Sequence, residues 1–287
     1  MNIEAVEKVA NAVLYEGYLL YPYRQSAVKN QQRFNFGVLY PSTFAEGSDR
    51  SEMRTECLVE TGSAPGLRVK IRFLQLVERE RRQEGIEREV EFTAALVPGQ
   101  EPQRRAFGFN AAISGASELA AVPVEEKLLK IVLRVWNTAE FDGSTRDRAL
   151  LRSLVSLHSI LHVTDGQFVS LLEPPDRYRA AAASCRNEGG WPVLAGEAGS
   201  RDVMLASPII LYDYPRIAPE SPGDLFDGTE IDEILALRIL TMTDEEKQEV
   251  REGDVRAREV LERTETLPPE HLQKLHGALR GLAKEQK

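Results

Sequence analysis

Two histidines on one short apolar run are the residues in this sequence that are best placed to do chemistry. His158 and His162 are four residues apart in LVSLHSILH, and on a helix this spacing puts both imidazoles on one face. Zinc proteases use the same spacing in His-Glu-x-x-His, but Ser159 stands where the glutamate base would be. The protease interpretation therefore fails, while a divalent metal could still bind the pair.

A metal site on this run needs further ligands, because structural zinc usually takes four. The sequence offers Asp165, Asp213 and Cys185 for this role, and the block of carboxylates from Asp213 to Glu233 extends the choice. The competing interpretation is that the two histidines are partly buried and held by hydrogen bonds. Both interpretations stay open at the level of the sequence.

A second group of candidate ligands lies in a proline-rich acidic stretch, IAPESPGDLFDGTEIDEI. Asp224, Asp227, Glu230 and Glu233 carry the oxygen ligands that calcium and magnesium prefer. The stretch lacks the alternating Asp/Asn spacing and terminal Glu of an EF-hand loop. Helix capping explains the same residues without a metal, because carboxylates favourably meet the exposed N–H groups of a first helical turn.

Tyrosines and basic residues alternate near the amino terminus, in LYEGYLLYPYRQSAVKNQQRFNFGVLY. Tyrosine suits an interface because it offers apolar area together with a hydroxyl. We expect a partner-binding surface formed by this tract and by residues around the acidic stretch. Its predicted members are Tyr21, Tyr23, Arg24, Lys29, Arg33, Tyr212, Tyr214, Asp224 and Asp227.

Two other interpretations of the tyrosine tract remain open. The rings could fill the core between the first helix and the first sheet. Alternatively, Tyr21 and Tyr23 could stack on RNA bases while Arg24 and Lys29 contact phosphates. The net charge of −9 disfavours a dedicated nucleic-acid-binding protein, because neutralising phosphates needs a basic footprint.

The motifs of common enzyme classes are missing from the sequence. There is no Gly-x-Ser-x-Gly elbow and no glycine-rich dinucleotide fingerprint, which removes the best grounds for a serine hydrolase or a dehydrogenase. Cys185 falls near a predicted helix carboxyl end, which favours an unreactive thiol. The expectation is a protein without catalytic residues and without an obligatory cofactor.

Composition places the chain among ordinary folded proteins. It has 287 residues, of which 42% are hydrophobic and 28% are charged, so it is long enough for a substantial core. Two cysteines make no disulfide framework and fit a reducing compartment. No basic and apolar leader opens the chain, and no apolar run approaches the roughly 20 residues that span a bilayer. We therefore expect a cytoplasmic protein that does not insert into membranes.

The elements that must position these residues begin with a helix over Ile3–Leu20 and continue as strands. Alternation of apolar and polar residues predicts strands over 34–40, 55–60, 67–73, 90–96 and 129–135. Turn-rich stretches at Thr61–Gly66 and Pro98–Pro102 separate them. The first half of the chain is thus expected to be an antiparallel sheet or sandwich, forming a β-rich domain over residues 1–140.

The second half is predicted to mix helices with short strands. A strongly apolar run predicts a helix over 150–161, Pro174 and Pro175 introduce a second helix over Asp176–Asn187, and strands are expected at 169–172, 191–194 and 209–211. This pattern indicates a small α/β domain over 141–241 with parallel pairing, followed by a helical tail over 242–287. The predicted fold class is α+β.

Three stretches together resemble an uncharacterised bacterial family found with actinobacterial-type nickel-iron uptake hydrogenases. They are LYEGYLLYPYRQSAVKNQQRFNFGVLYP, SCRNEGGWPVLAG and SPIILYDYPRIAPESPGDLFDGTEIDEI. The resemblance implies an accessory protein that helps a hydrogenase mature or assemble, with a hydrogenase subunit or maturation factor as its partner. The alternative is a metal-dependent enzyme or metallochaperone that uses His158 and His162 with nearby carboxylates.

Overall fold

The computed structural model describes residues 6–11, 14, 37–45, 49–79, 82–216, 247, 248, 251, 258, 261 and 262. The chain divides into two compact units. One comprises residues 1–17 and 34–216, and the other comprises residues 18–33 and 217–287. All the strands described below belong to the first unit. In the second unit the described residues are helical, and most of the predicted helical tail lies outside the described residues.

Eight strands form one antiparallel sheet. Their bounds are β1 Glu52–Arg79, β2 Arg82–Ala95, β3 Gln103–Phe109, β4 Ile113–Glu125, β5 Leu128–Asn137, β6 Val155–Val169, β7 Trp191–Leu194 and β8 Val203–Ser207. Their order in the sheet is β3-β4-β5-β1-β6-β8-β7, with β2 paired to β1. The alternating sequence pattern predicted β5 and parts of β1 and β2, and the β-rich α+β class is confirmed.

The 28-residue strand β1 is the central strand of the sheet. Its first part, Glu52–Glu60, pairs with β5, and its last part, Gly66–Arg79, pairs with β2. Strand β6 pairs with both parts. The alternating residues of β1 supply Met53, Cys57, Val59, Leu67, Val69, Ile71 and Phe73 to the main core.

Residues 61–66 of β1 form an irregularity in the strand instead of the predicted turn between two strands. The pairing with β6 skips from Thr61 to Gly66. There Asp165, itself at a positive φ of 51°, accepts a 2.5 Å hydrogen bond from the Ala64 N–H. A carboxylate that satisfies the backbone of the extra residues lets the strand continue past its bulge.

Two small layers cover the outer face of the sheet. The helical residues Val6 and Ala10 pack on Ile160, Val203 and Leu205, which agrees with the helix predicted near the amino terminus. A single 3₁₀ turn, Asp176–Tyr178, leads into helix α2, Arg179–Ala183. The other short helix, α1, comprises Arg146–Leu150 and comes before β6 in the chain.

The segment of α2 and the 3₁₀ turn covers another part of the outer face. Tyr178 and Ala182 pack on Leu58, Leu128 and Val169. The prediction of one long helix over Asp176–Asn187 is therefore correct only in part, since the helical residues end at Ala183. Residues 184–190 instead return to β1, where Arg54 and Glu188 exchange two 2.9 Å backbone hydrogen bonds.

The predicted helix over 150–161 is wrong. Helix α1 ends at Leu150, and the run that follows is strand β6. The apolar residues of this run pack on two opposite faces: Leu157 and Leu161 enter the main core, while Ile160 faces the helical residues near the amino terminus. A strand that is buried on both faces carries an almost continuous apolar run, which periodicity does not distinguish from a buried helix.

The predictions for the end of the first unit also need correction. The final strand is β8, Val203–Ser207, and not Ile209–Leu211. The pairings of β6 with β8 and of β7 with β8 are antiparallel, so the predicted parallel pairing is wrong. Strand β7 lies where a strand was expected. A domain boundary was expected at residue 141. Strand β6 lies beyond this position but pairs with β1 in the same sheet.

Candidate interaction surface

The segment that follows β8 is held against the sheet by hydrogen bonds at both ends. The Ser207 hydroxyl donates to the Ile209 carbonyl at 2.6 Å. Further along, the Tyr214 N–H donates to the Leu194 carbonyl at 2.7 Å, and the Leu194 N–H donates to Asp213 Oδ1 at 2.8 Å. The segment thereby satisfies backbone groups of Leu194 on the short strand β7, which protects the edge of the sheet.

Side chains alternate between inside and outside along this segment. Leu211 packs against the cluster that contains Val6 and Ile160, and Tyr214 packs against the main core. Ile210 and Tyr212, on either side of Leu211, point outward and are 76% and 87% exposed. Of the two tyrosines expected at an interface, Tyr212 therefore presents its ring to solvent and Tyr214 is partly buried.

Asp213 joins this segment to the end of β6. Its Oδ2 accepts a 2.5 Å hydrogen bond from the Ser170 hydroxyl, whose oxygen accepts from the N–H groups of Leu172 at 3.2 Å and Glu173 at 2.9 Å. Leu172 is itself 50% exposed. We define the latch surface as Ile210, Tyr212 and Leu172, the exposed apolar side chains next to the hydrogen bonds of Asp213.

The latch surface has the properties of a preorganised contact site. Ile210 and Tyr212 are separated by one residue and are both exposed, and exposed apolar side chains that form a patch mark contact sites on many proteins. Aromatic residues supply much of the binding energy at interfaces, and a fixed backbone reduces the entropy that is lost on binding. Asp213 supplies this fixed backbone with both of its carboxylate oxygens.

The histidine pair does not form the arrangement that the sequence suggested. Four residues along a strand separate two Cα atoms by about 13 Å, and the side chain of Ile160 lies between them on the same face of β6. His158 Nδ1 lies 3.1 Å from the Ser156 carbonyl, whereas His162 Nε2 lies 3.8 Å from Asp202 Oδ2. The two rings are thus held by different partners.

His158 is a neutral histidine enclosed by the sheet. The Ser156 carbonyl can only accept a hydrogen bond, so Nδ1 carries the proton. Burial, together with the charge of the neighbouring Arg72, lowers the pKa of His158 to about 3. Its Nε2 is buried and has no hydrogen-bond partner among the described residues. Within the described ranges, no three His, Cys, Asp or Glu side chains are grouped closely enough to hold a metal ion.

A buried carboxylate that the sequence did not reveal links β1 to the segment after α2. Glu56 is 2% exposed and accepts hydrogen bonds from Arg54 Nε and the Arg186 N–H, both at 2.9 Å. Lys130 Nζ approaches it at 3.5 Å. Burial acts to raise the pKa of Glu56, but these donors outweigh it and the pKa is lowered. The alternating pattern placed Glu56 on a solvated face of the sheet. It could not show that the segment after α2, about 130 residues further along the chain, covers this face.

Cys185 lies close to this carboxylate and remains a thiol. Burial is the main reason that its pKa is raised to about 11, which agrees with the unreactive side chain expected from the sequence. The remaining residues of the predicted partner surface lie outside the described residues. They are Tyr21, Tyr23, Arg24, Lys29, Arg33, Asp224 and Asp227.

Comparison with protein-family models and with curated proteins identifies no relative. No protein-family model matches the chain, and no curated protein is similar to it in sequence. Within the part of the chain that the structure describes, the helices are all too short or too polar to cross a bilayer.

Proposed function

We propose that this protein is a non-enzymatic interaction factor whose latch surface binds another protein in the cytoplasm. The observation that carries the proposal is the exposure of Ile210 and Tyr212 on a segment fixed by hydrogen bonds. Exposing two large apolar side chains has no benefit for the folded monomer, since burying each one would contribute about 1.5–3 kcal/mol. A partner that covers them gains this contribution at a small entropic cost.

The resemblance of three stretches to a family found with nickel-iron hydrogenases suggests the class of partner. One of these stretches contains SPIILYDYPR. This is the segment that carries Ile210 and Tyr212, and we call it the latch segment. We propose a nickel-iron hydrogenase subunit, or a factor in its maturation, as the protein that the latch surface contacts. Assembly factors hold their clients reversibly, and a small apolar contact of this kind suits reversible binding.

The proposal is tested by measuring binding of the purified chain to purified hydrogenase large and small subunits by biolayer interferometry. We expect saturable binding to one of them. The double variant Ile210→Ser/Tyr212→Ser should weaken binding at least tenfold, because the central apolar residues of an interface commonly contribute 2 kcal/mol or more each. Neither residue belongs to the core, so this variant should fold normally.

The matched control is Val122→Ser/Val124→Ser, which removes two other exposed apolar side chains, 41% and 38% exposed, from β4. This variant should bind like the unmodified chain. Equal weakening by both double variants, or no binding to either subunit, would contradict the proposal. Metal analysis of chelator-free protein tests the competing metal-dependent function, which requires a stoichiometric ion that is lost in His162→Ala.

A further inference from the structure

Strands β2 and β3 are two sheet edges that lie side by side without pairing. Strand β2 pairs only with β1, and β3 pairs only with β4. Side chains nevertheless join them: the Arg105 guanidinium lies 4.8 Å from the centre of the Phe92 ring, and the Arg88 guanidinium lies 5.1 Å from that of Phe109. We call this boundary the β2–β3 seam.

The two bridges show that the strands run antiparallel across the seam. The step from Arg88 to Phe92 on β2 equals the step from Phe109 back to Arg105 on β3. In this register residues 88–94 of β2 lie opposite residues 109–103 of β3. No backbone hydrogen bond joins residues 82–95 to residues 103–109, all of which are described.

The backbone groups that point into the seam follow from the hydrogen bonds on the other side of each strand. The Leu96 N–H donates to the Pro65 carbonyl, so even-numbered residues of β2 point toward β1 and Glu89, Glu91 and Thr93 point into the seam. For β3, the bond from the Thr138 N–H to the Ser114 carbonyl fixes the alternation through β4. Residues 104, 106 and 108 of β3 then point into the seam.

The seam therefore offers matched backbone donors and acceptors on both sides. In the antiparallel register Glu89, Glu91 and Thr93 face Gly108, Ala106 and Arg104. One of these backbone acceptors already has a side-chain donor, since Arg105 Nη2 lies 3.5 Å from the Thr93 carbonyl. Ala106 and Gly108 are small and exposed, which leaves the edge of β3 open to another backbone.

We propose that the β2–β3 seam accepts an extended segment of a partner protein as an added β-strand. In the absence of a partner, Arg88 and Arg105 are the side chains that join the two edges. Strand addition supplies the backbone hydrogen bonds that both edges lack. This site is separate from the latch surface and does not depend on the partner proposed for it.

The side chains on either side of the seam define the chemistry of the partner segment. On the core side, three residue pairs follow one another along the seam. They are Phe92 with Arg105, Val90 with Phe107, and Arg88 with Phe109. A segment with an acid, an apolar residue and an acid at every second position would pair with both guanidiniums and cover the apolar pair between them. On the outer side Glu89 and Glu91 already pair with cations of β1, and their remaining exposed charge favours basic residues at the intervening positions.

The experiment uses two capped, fluorescein-labelled peptides of identical composition. The first is Thr-Glu-Lys-Val-Lys-Glu-Thr, which places its acids toward the arginines in either direction. The second is Thr-Lys-Glu-Val-Glu-Lys-Thr, which exchanges acids and bases. Fluorescence anisotropy with the full chain should show saturable binding of the first peptide, at least tenfold tighter than binding of the second.

Variants of β3 test the backbone and side-chain parts separately. Ala106→Pro removes an N–H that points into the seam and leaves the β3–β4 ladder intact, so it should weaken binding at least tenfold, while Ala106→Ser should bind normally. If Ala106→Pro fails to fold, Arg105→Glu on the exposed side chain tests the same site by shifting the preference toward the second peptide.

Several results would overturn the proposal: no saturable binding of the first peptide, equal binding of both, or unchanged preference in Arg105→Glu. A concentration-dependent dimer that Ala106→Pro abolishes would assign the edge to a second copy of this chain instead. The Ile210→Ser/Tyr212→Ser variant should bind the first peptide normally, so failure at the latch surface and failure at the seam are distinguishable.

Discussion

At the scale of single residues, His158 shows how a group that could do chemistry becomes part of the framework. Its ring is fully buried, and Nδ1 donates its hydrogen bond to the Ser156 carbonyl. The positive charge of Arg72 lies opposite it in the register of β1 and β6. Burial and this like charge both disfavour protonation, so the imidazole stays neutral at physiological pH.

This neutral histidine predicts a pH dependence of stability. The pKa of His158 is about 3 when folded and about 6.5 when unfolded, so below pH 6.5 the unfolded state binds a proton that the folded state does not. The free energy of unfolding should therefore fall as pH decreases from about 6.5 toward 3, by up to about 1.4 kcal/mol per pH unit from this group.

Urea unfolding between pH 7.5 and 5.0 measures this contribution. Above pH 5.0 few carboxylates titrate, and the other histidines contribute equally to the chain and to His158→Leu. The difference in unfolding free energy between the two proteins should change steadily in favour of His158→Leu as pH falls below 6.5. A constant difference over the whole range would show that the pKa of His158 is the same in the folded and unfolded states.

At the scale of elements, the latch segment depends on one carboxylate. Asp213 accepts from Leu194 on β7 and from Ser170 after β6, and so fixes residues 208–214 to two strands. Neither contact was visible in the sequence, where Asp213 was a candidate metal ligand. The sequence predicted a strand over 209–211, but only the positions of β6 and β7 determine which side chains turn inward.

We expect Asp213→Ala to loosen this edge of the sheet. Loss of the acceptor leaves the Leu194 N–H and the Ser170 hydroxyl without their partner, which costs about 1–3 kcal/mol. The Leu194 amide should then exchange with deuterium roughly 5- to 150-fold faster in the native state, as measured by NMR. Asp176→Ala is the control, because the Asp176 side chain is 92% exposed. Unchanged exchange at Leu194 would contradict the role of Asp213.

At the scale of the whole molecule, β1 joins the parts of the chain on either side of residue 141. It pairs with β2 and β5 on one side and with β6 on the other. The main core likewise takes residues from both parts, including Phe73 and Ile131 together with Leu161 and Phe168. A core shared in this way is expected to unfold cooperatively.

A truncation tests this cooperativity. A fragment of residues 1–140 lacks β6, β7 and β8 and leaves one edge of β1 unpaired, so we expect no cooperative thermal transition by circular dichroism and poor dispersion of amide signals. A fragment of residues 1–216 contains every described strand and should retain both features. Cooperative unfolding of the 1–140 fragment would show that its strands form an independent domain.

The sequence by itself determined the strands whose two faces differ. In β1, β2 and β5 apolar and polar residues alternate with a period of two, because one face meets the core and the other meets charged partners or solvent. It did not indicate the irregular chain around Tyr212, because the apolar run Ile209–Leu211 is typical of a buried strand.

Only the tertiary structure decided the elements that are covered on both faces. The run containing His158 and His162 is a strand because β1 and β8 flank it and residues near the amino terminus cover its outer face. The same covering layers buried Glu56 and left Tyr212 exposed. Contacts between residues far apart in sequence set these environments, and local periodicity carries no information about which distant segment will lie on a given face.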